Sequence, residues 1–188
     1  GPLDLFLSLS HFSGRGDFDY LDDRGTPQNE FDDVVRDRVN NWSRRSRAAI
    51  RASSAGAGGW RIEIANDLLW VERGIPGTGS VPIENADCDL LGNTARLSVE
   101  PPRFADGALE LRAAAFSTYR RDRFRNPSNE VGLNRSDTIG RAASGGGSVR
   151  AVWRWFAAGH TVTVSGGARS DRFTPEDGNP AIGEGFTR

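Results

Sequence analysis

Acidic and aromatic side chains are interleaved in the stretch 13–33, which is the part of the sequence best suited to contact a ligand. Its aromatic residues are Phe18, Tyr20 and Phe31. The acidic residues between Arg15 and Arg38 are Asp17, Asp19, Asp22, Asp23, Glu30, Asp32, Asp33 and Asp37. Carboxylate oxygens bind hard cations such as Ca²⁺, and aromatic rings among charges can line a ligand-binding rim. The spacing is not that of an EF-hand, so a calcium site and a solvated loop both stay open.

Catalytic side chains are sparse in this sequence. The two histidines, His11 and His160, are far apart in sequence, and neither lies near a nucleophile-elbow motif. The glycine run 145–147 lacks the Lys-Ser/Thr pair that follows it in a phosphate-binding loop. Cys88 is the only cysteine, which excludes an intrachain disulfide. We therefore expect a protein that is not an enzyme and that uses no cofactor, with any metal left unknown.

The segments that flank these residues alternate between apolar and polar side chains with a period of two. In the clearest segment, one parity carries Trp60, Ile62, Ile64, Leu68 and Trp70. The other parity carries Arg61, Glu63, Ala65 and Asp67. Such alternation predicts a β-strand with one apolar face. The two tryptophans are ten positions apart, which is the length of a tilted strand that crosses a bilayer between aromatic girdles.

Seven segments show this pattern, separated by connections that alternate between long and short. The predicted strands are 3–12, 34–54, 60–73, 89–100, 108–124, 137–155 and 160–173. The predicted long connections are 13–33, 74–87, 125–136 and 174–188. Short turns on one side and long loops on the other are typical of outer-membrane barrels. The fold class we predict is all-β: an antiparallel up-and-down transmembrane β-barrel that is partial, with about seven strands of a larger barrel.

Composition agrees with a wall of this kind. Only 37% of the residues are hydrophobic, which suits strands in which every second side chain faces water. No apolar run approaches the roughly 18 residues of a membrane helix. The formal net charge is −1, which gives no basic excess for nucleic acid. We interpret residues 1–188 as an internal fragment of the barrel domain, and we expect outer-membrane lipid, not nucleic acid, as a partner.

Several motifs give the chain a family resemblance. They are Gly16-Asp17-Phe18-Asp19-Tyr20, Asp22-Asp23-Arg24-Gly25-Thr26-Pro27, Arg38-Val39-Asn40-Asn41, and Asn66-Asp67-Leu68-Leu69-Trp70 leading into Gly74-Ile75-Pro76-Gly77. Together they resemble the barrel portion of TonB-dependent outer-membrane receptors of Gram-negative bacteria. The resemblance implies a barrel of about 22 strands and uptake of a scarce ligand such as a ferric siderophore or cobalamin. It also implies that the barrel encloses its own plug domain and that the TonB system drives transport; this sequence contains neither a plug nor a TonB box.

Binding residues concentrate on loops that a rigid scaffold positions. We predict contact with a small-molecule or metal-chelate ligand through residues of 13–33 and two arginines at the bases of neighbouring loops. The predicted residues are Asp17, Phe18, Tyr20, Asp22, Asp23, Arg73 and Arg123.

Two other functions remain open: a small closed barrel with a structural or adhesive role, and a soluble all-β binding module. Exposure of the apolar parity separates the soluble module from a membrane wall. In a membrane wall without lipid, these residues should be exposed to solvent: Trp60, Ile62, Ile64, Leu68, Leu97, Val99, Leu109, Leu111, Val162 and Val164. In a sandwich they should be buried against a second sheet.

Overall fold

A computed structural model of the chain describes residues 2–77, 81–132, 135–155 and 159–177. Its described residues form nine strands and one 3₁₀ turn at Ala57–Gly59. The strands are β1 (Leu3–Gly14), β2 (Asp19–Asp22), β3 (Val34–Asp37), β4 (Ser43–Ala55), β5 (Arg61–Gly74), β6 (Asp87–Glu100), β7 (Leu109–Asn126), β8 (Ser136–Trp155) and β9 (His160–Asp177). The all-β prediction is confirmed.

Seven of the strands form one antiparallel sheet in the order β1-β4-β5-β6-β7-β8-β9. Strands β2 and β3 pair only with each other, as a hairpin inserted between β1 and β4. Within the described residues the sheet is open, because β1 and β9 each have a single neighbour. The predicted pairing of each wall strand with its neighbour is therefore confirmed, and the hairpin is an addition to it.

The strand predicted over 34–54 is wrong, since it is two strands, β3 and β4, separated by residues 38–42. Asn40 lies in this break with φ 53°, a left-handed conformation that ends extended structure. The connection predicted over 13–33 is also wrong in part, because it contains β2. Strands β7 and β9 run further than predicted, to Asn126 and Asp177. The rest of the connection predicted over 174–188, beyond residue 177, lies outside the described residues.

The two ends of the sheet differ in their connections. We call the end where β5 and β7 finish the loop end, and the opposite end the turn end. Between β4 and β5 the turn end uses two glycines, Gly58 and Gly59, with φ 79° and 84°. These angles are unfavourable for any residue with a Cβ, which explains why the turn is glycine-rich. Most of the short turn predicted between β8 and β9 (residues 156–158) lies outside the described residues.

Register places the alternating side chains of all seven strands on two continuous faces. The apolar face has cross-sheet rows such as Leu5, Ala52, Ile64, Leu97, Ala115, Gly147 and Ala168. Along β7 its uncharged positions run from Leu109 to Tyr119. Ten steps of about 3.3 Å make about 33 Å of strand, or roughly 25 Å of height at the tilt usual in barrels.

Aromatic rings lie at both borders of the apolar face. At the turn end the indole rings of Trp153 and Trp155 are stacked 6.3 Å apart, and Trp60 precedes β5. At the loop end Trp70 and Tyr119 occupy the border, and all five side chains are exposed. Amphipathic rings at both edges of an apolar band are typical of strands that cross a bilayer.

The apolar face is uncovered. Seven of the ten residues predicted to be exposed are exposed, between Leu68 at 40% and Val164 at 64%. The other three, Val99, Leu109 and Leu111, are half-buried. Among the described residues only Ile83, Ala86 and Val152 are buried hydrophobic side chains. The expected exposure is confirmed in the main, and the sheet has no apolar core of its own.

The opposite, polar face is lined by charged side chains, among them Arg61, Glu63 and Asp67 of the polar parity of β5. Its ion pairs are Arg47–Asp67, Arg51–Glu63 at 3.7 Å, Arg61–Glu100 at 3.3 Å, Arg112–Glu100 at 3.2 Å and Arg154–Glu110 at 3.1 Å. These side chains are largely exposed, so water and salt screen the pairs and their contribution to stability is small. The pairs make the face suitable for contact with water or with a polar partner, in contrast to the apolar face.

Two local contacts explain a pair of asparagines on the apolar face and a glycine within a strand. On the apolar face Asn66 and Asn93 hydrogen-bond to each other through both amides, with N···O distances of 3.3 and 3.1 Å. On the polar face Gly146 leaves room for the ring of Phe116, because a Cβ at Gly146 would lie 2.8 Å from a ring carbon. Glycine within a strand often marks such a close approach.

Candidate functional site

The β2–β3 hairpin and the connections beside it gather most of the predicted ligand residues at the loop end. Two hydrogen bonds join the segment before β2 to residues 38–42, which follow β3, and so close the base of the hairpin. Asn41 donates its amide hydrogen to the Gly16 carbonyl at 2.7 Å, and the backbone N–H of Arg38 donates to the Phe18 carbonyl at 2.9 Å. A Cβ at Gly16 would lie 2.4 Å from the Asn41 carbonyl oxygen, so glycine permits this approach.

Asp17 and Phe18 present their side chains to solvent. Phe18 is 54% exposed, and the Asp17 carboxylate makes no ion pair or hydrogen bond with any described residue. An exposed ring beside an unused carboxylate offers both an apolar and a charged contact. These two residues have the geometry that ligand contact needs, and their role stays a prediction.

Tyr20, Asp22 and Asp23 are occupied within the hairpin itself. The Arg38 guanidinium carbon lies 5.6 Å from the Tyr20 ring centroid. Asp22 is 3% exposed, pairs with Arg36 at 3.1 Å and accepts the Arg24 N–H at 3.0 Å. Asp23 accepts the Gly25 N–H at 3.0 Å, which closes the turn after β2. Asp22 therefore serves the hairpin, whereas Asp23 remains exposed.

Arg73 and Arg123 are not brought together. Register places Arg73 opposite Cys88 on the polar face, where its Nε–H donates to the Cys88 Sγ at 3.1 Å. Arg123 lies on the face shared with the apolar band and binds Asp137 through two hydrogen bonds, at 2.8 and 2.6 Å. A ligand on one face could contact only one of the two arginines.

The acidic residues do not form a metal centre in the part of the chain that the structure describes, where no group of three or more His, Cys, Asp or Glu side chains is arranged to hold an ion. Asp19 and Asp37 lie opposite each other across the hairpin. When protonated, the Asp37 carboxyl donates a hydrogen bond to the Asp19 carboxylate; this bond, together with repulsion between the two carboxylates, raises the pKa of Asp37. Protonation of one of the two carboxyls relieves this repulsion.

Asn40 connects the elements around the site, although it is not among the predicted ligand residues. Its side-chain amide donates to the carbonyls of Ala86 at 2.6 Å and Ile75 at 3.2 Å, and its oxygen accepts the Trp42 indole N–H at 2.9 Å. A Cβ at Gly74 would lie 2.2 Å from the Asn40 oxygen. Asn40 thus ties the hairpin to the β5–β6 connection. The only signal in the sequence was an asparagine pair, which tolerates left-handed backbone.

Glu130 joins two connections at the loop end. Its carboxylate accepts the backbone N–H groups of Asn85 at 2.8 Å and Glu84 at 3.0 Å, and the Asn85 side-chain amide at 2.7 Å. Asn126, which is fully buried, in turn accepts the Glu130 N–H at 2.8 Å. The β5–β6 and β7–β8 connections therefore behave as one unit.

Acid should release this link. Hydrogen bonds from Asn85 and Glu84 lower the pKa of Glu130 below its ordinary value of 4.5. A lowered pKa in the folded state means that the link is fully present above about pH 4.5 and is lost as the pH falls through the lowered value. We expect hydrogen exchange to show protection of the Asn85 amide that declines in this window. In Glu130→Gln the protection should be weaker and independent of pH; an unchanged acid-dependent decline would contradict the assignment.

Charged rows follow the apolar face towards the loop end. One row contains Arg121 and Arg141 opposite each other, and the next row outward contains Glu72, Asp89, Arg123 and Glu176. Arg121 pairs with Asp89 at 2.9 Å, and Arg125 pairs with Asp87 at 2.7 Å. The same sheet face thus changes from apolar to charged from the rows of Trp70 and Tyr119 outward.

Comparison with known proteins identifies no relative: no protein-family model matches the chain, and no curated protein is significantly similar in sequence. Among the described residues, no helix is long and apolar enough to cross a membrane. The function is therefore inferred from the sheet and its two faces.

Proposed function

We propose that this chain forms part of the wall of a β-barrel in the bacterial outer membrane, and that the barrel belongs to a TonB-dependent receptor that imports a scarce ligand such as a ferric siderophore or cobalamin. The observation that carries the proposal is the continuous exposed apolar face, bordered by aromatic rings and backed by a charged face. Soluble proteins rarely expose a patch of this extent, and lipid is the partner that such a band matches in height.

The open edges of the sheet support a larger assembly. Strands β1 and β9 each leave one row of backbone N–H and C=O groups without a neighbouring strand in the described chain. Such groups are too costly to leave unpaired in hydrocarbon, which favours closure with further strands into a barrel. The polar face then lines the interior, where its ion pairs can contact water or a plug domain.

Cysteine labelling tests the membrane wall. In a Cys88→Ser background, Ile64→Cys faces lipid and Ala65→Cys faces the interior, one residue apart on β5. We expect a charged, water-soluble maleimide to label Ala65→Cys and to leave Ile64→Cys unlabelled when the full polypeptide is folded in bilayers. The two variants should react equally after unfolding in urea. Equal labelling in the folded state would contradict a lipid-facing apolar band.

Uptake tests the receptor function. We expect Asp17→Asn with Phe18→Ala to reduce import by the full polypeptide in a Gram-negative host by roughly ten-fold or more, because about 1.4 kcal/mol of lost contact is a factor of ten. The probes are radioactive iron as a ferric hydroxamate chelate, and cobalamin. The matched control, Asp106→Asn with Phe104→Ala, removes the same side chains from the turn end and should leave import unchanged. If the unaltered chain imports neither probe, the proposed ligand class is contradicted.

A further inference from the structure

Three arginines lie at the loop-end border of the apolar face, on adjacent strands. Arg121 on β7 is directly opposite Arg141 on β8. Arg172 on β9 lies one row nearer the apolar band, opposite Ala143. We call Arg121, Arg141 and Arg172 the arginine border. The row that contains Arg121 continues through Leu91, Trp70, Ser46 and His11. Across the described strands, neither of the two rows that hold the arginine border includes an acidic residue.

The acidic residues that form ion pairs with these arginines all lie on the loop-end side of the arginine border. Asp89 pairs with Arg121 at 2.9 Å, and Glu176 pairs with Arg141; both acids lie in the next row outward. Arg172 has no ion pair or hydrogen bond with any described residue. Two arginines directly opposite each other on neighbouring strands repel, which is unfavourable unless an anion lies between them.

The arginine border also has unused hydrogen-bond donors. A guanidinium carries five N–H donors, and the carboxylates described above use only part of this capacity. The Nε atom of Arg121 is buried and has no hydrogen-bond partner among the described residues. A buried polar group without a partner needs an explanation, and an anion absent from the protein itself supplies one.

The position of the border indicates which anion. The arginine border shares its two rows with Trp70 and Tyr119. In a bilayer that covers the apolar face, such border aromatic rings lie where the acyl chains end and the headgroups begin. Phosphate groups occupy that level, and arginine binds phosphate through paired hydrogen bonds that lysine does not reproduce. We propose that the arginine border binds the phosphate groups of anionic lipid headgroups. This inference rests on the proposed function, since it requires the apolar face to lie in a bilayer.

Lipid retention tests the inference. The full polypeptide is folded in bilayers of phosphatidylcholine mixed with phosphatidylglycerol or with lipid A, and native mass spectrometry after gentle extraction measures the lipids that remain bound. We expect the unaltered chain to retain the anionic lipids preferentially. Replacing all three residues (Arg121→Gln, Arg141→Gln, Arg172→Gln) should reduce the preference on the order of one hundred-fold, at about five-fold for each arginine near the surface. The corresponding lysine variants should keep most of the preference for anionic lipid, which comes from charge, and should lose the part that comes from paired hydrogen bonds.

The control removes three arginines from the polar face: Arg96→Gln, Arg112→Gln and Arg150→Gln. It changes the net charge equally, and we expect the lipid preference to persist. If the control loses the lipid preference equally, the effect comes from net charge, and the arginine border is not a lipid-binding site. Saturation by inorganic phosphate without lipid would overturn the lipid assignment.

The two proposals fail differently. Labelling of Ala65→Cys but not of Ile64→Cys would show that the chain inserts in the bilayer. If such a chain shows no preference for anionic lipid, only the lipid-binding role of the arginine border is overturned. A chain in which both cysteines are labelled overturns the membrane wall and the arginine border together.

Discussion

Ala113→Arg should destabilise the folded chain in a bilayer by about 2–4 kcal/mol, whereas Ala114→Arg should cost less than about 1 kcal/mol. The two alanines are consecutive on β7, so the substitutions add the same side chain at nearly the same depth. Ala113 lies between Val99 and Val149 on the apolar face. Ala114 lies between Ser98 and Ser148 on the polar face. If the apolar face lies in a bilayer as proposed, only the first substitution places a charge against hydrocarbon.

The measurement is urea-induced unfolding of the full polypeptide in lipid vesicles, followed by tryptophan emission. Repeating it at high salt should leave the penalty of Ala113→Arg intact, since salt does not screen a desolvation cost, and should reduce any repulsion around Ala114→Arg. Equal penalties for the two variants would contradict opposite environments for the faces. A larger penalty at Ala114 would indicate that the polar face is the one covered.

Gly146→Ala should destabilise the sheet by about 1–3 kcal/mol through overpacking. A Cβ at this position would lie 2.5 Å from the Ala168 carbonyl oxygen and 2.8 Å from the Phe116 ring. Neither contact is tolerable, and the first involves backbone on β9, which cannot rotate away. The loss should be visible in the free energy of unfolding and in hydrogen exchange along β8 and β9.

Gly166→Ala is the matched control. Nothing lies within 4 Å of a Cβ at Gly166, which is also in the sheet, and its φ is not left-handed. Its effect should be neutral or slightly stabilising, because alanine reduces the freedom of the unfolded chain. If both glycine substitutions lower the free energy of unfolding equally, alanine is unfavourable in this sheet in general, and the close approach of Phe116 is not the cause.

The wall strands could be predicted because their alternation has a physical cause on each face. Segment 60–73 combines regular apolar positions with charges between them, and β5 forms there almost as predicted. The break in 34–54 left only a weak signal in the sequence: the apolar positions change parity between Val39 and Trp42, across Asn40 and Asn41. What ends β3 is a left-handed Asn40 whose side chain bonds to Ala86 and Ile75, residues more than 30 positions away in the sequence.

The candidate site was predicted only at the level of the loop. A sequence shows that Asp17 and Asp22 are acidic and near aromatic residues. It does not show that Asp22 pairs with Arg36 across a hairpin of two four-residue strands while Asp17 stays exposed. The separation of Arg73 from Arg123 also depends on register, because odd numbers fall on the polar face of β5 and on the apolar face of β7.

The amide pair between Asn66 and Asn93 determines how β5 and β6 can align. A slip of two residues between these strands would preserve the alternation of faces, so hydrophobicity alone does not oppose it. The slip would separate the two amides, which now satisfy each other on an otherwise apolar surface. In a bilayer, each amide would then keep unmet donors and acceptors, at a cost of several kcal/mol. The polar pair therefore selects one alignment among several that would keep the same side chains on the same face.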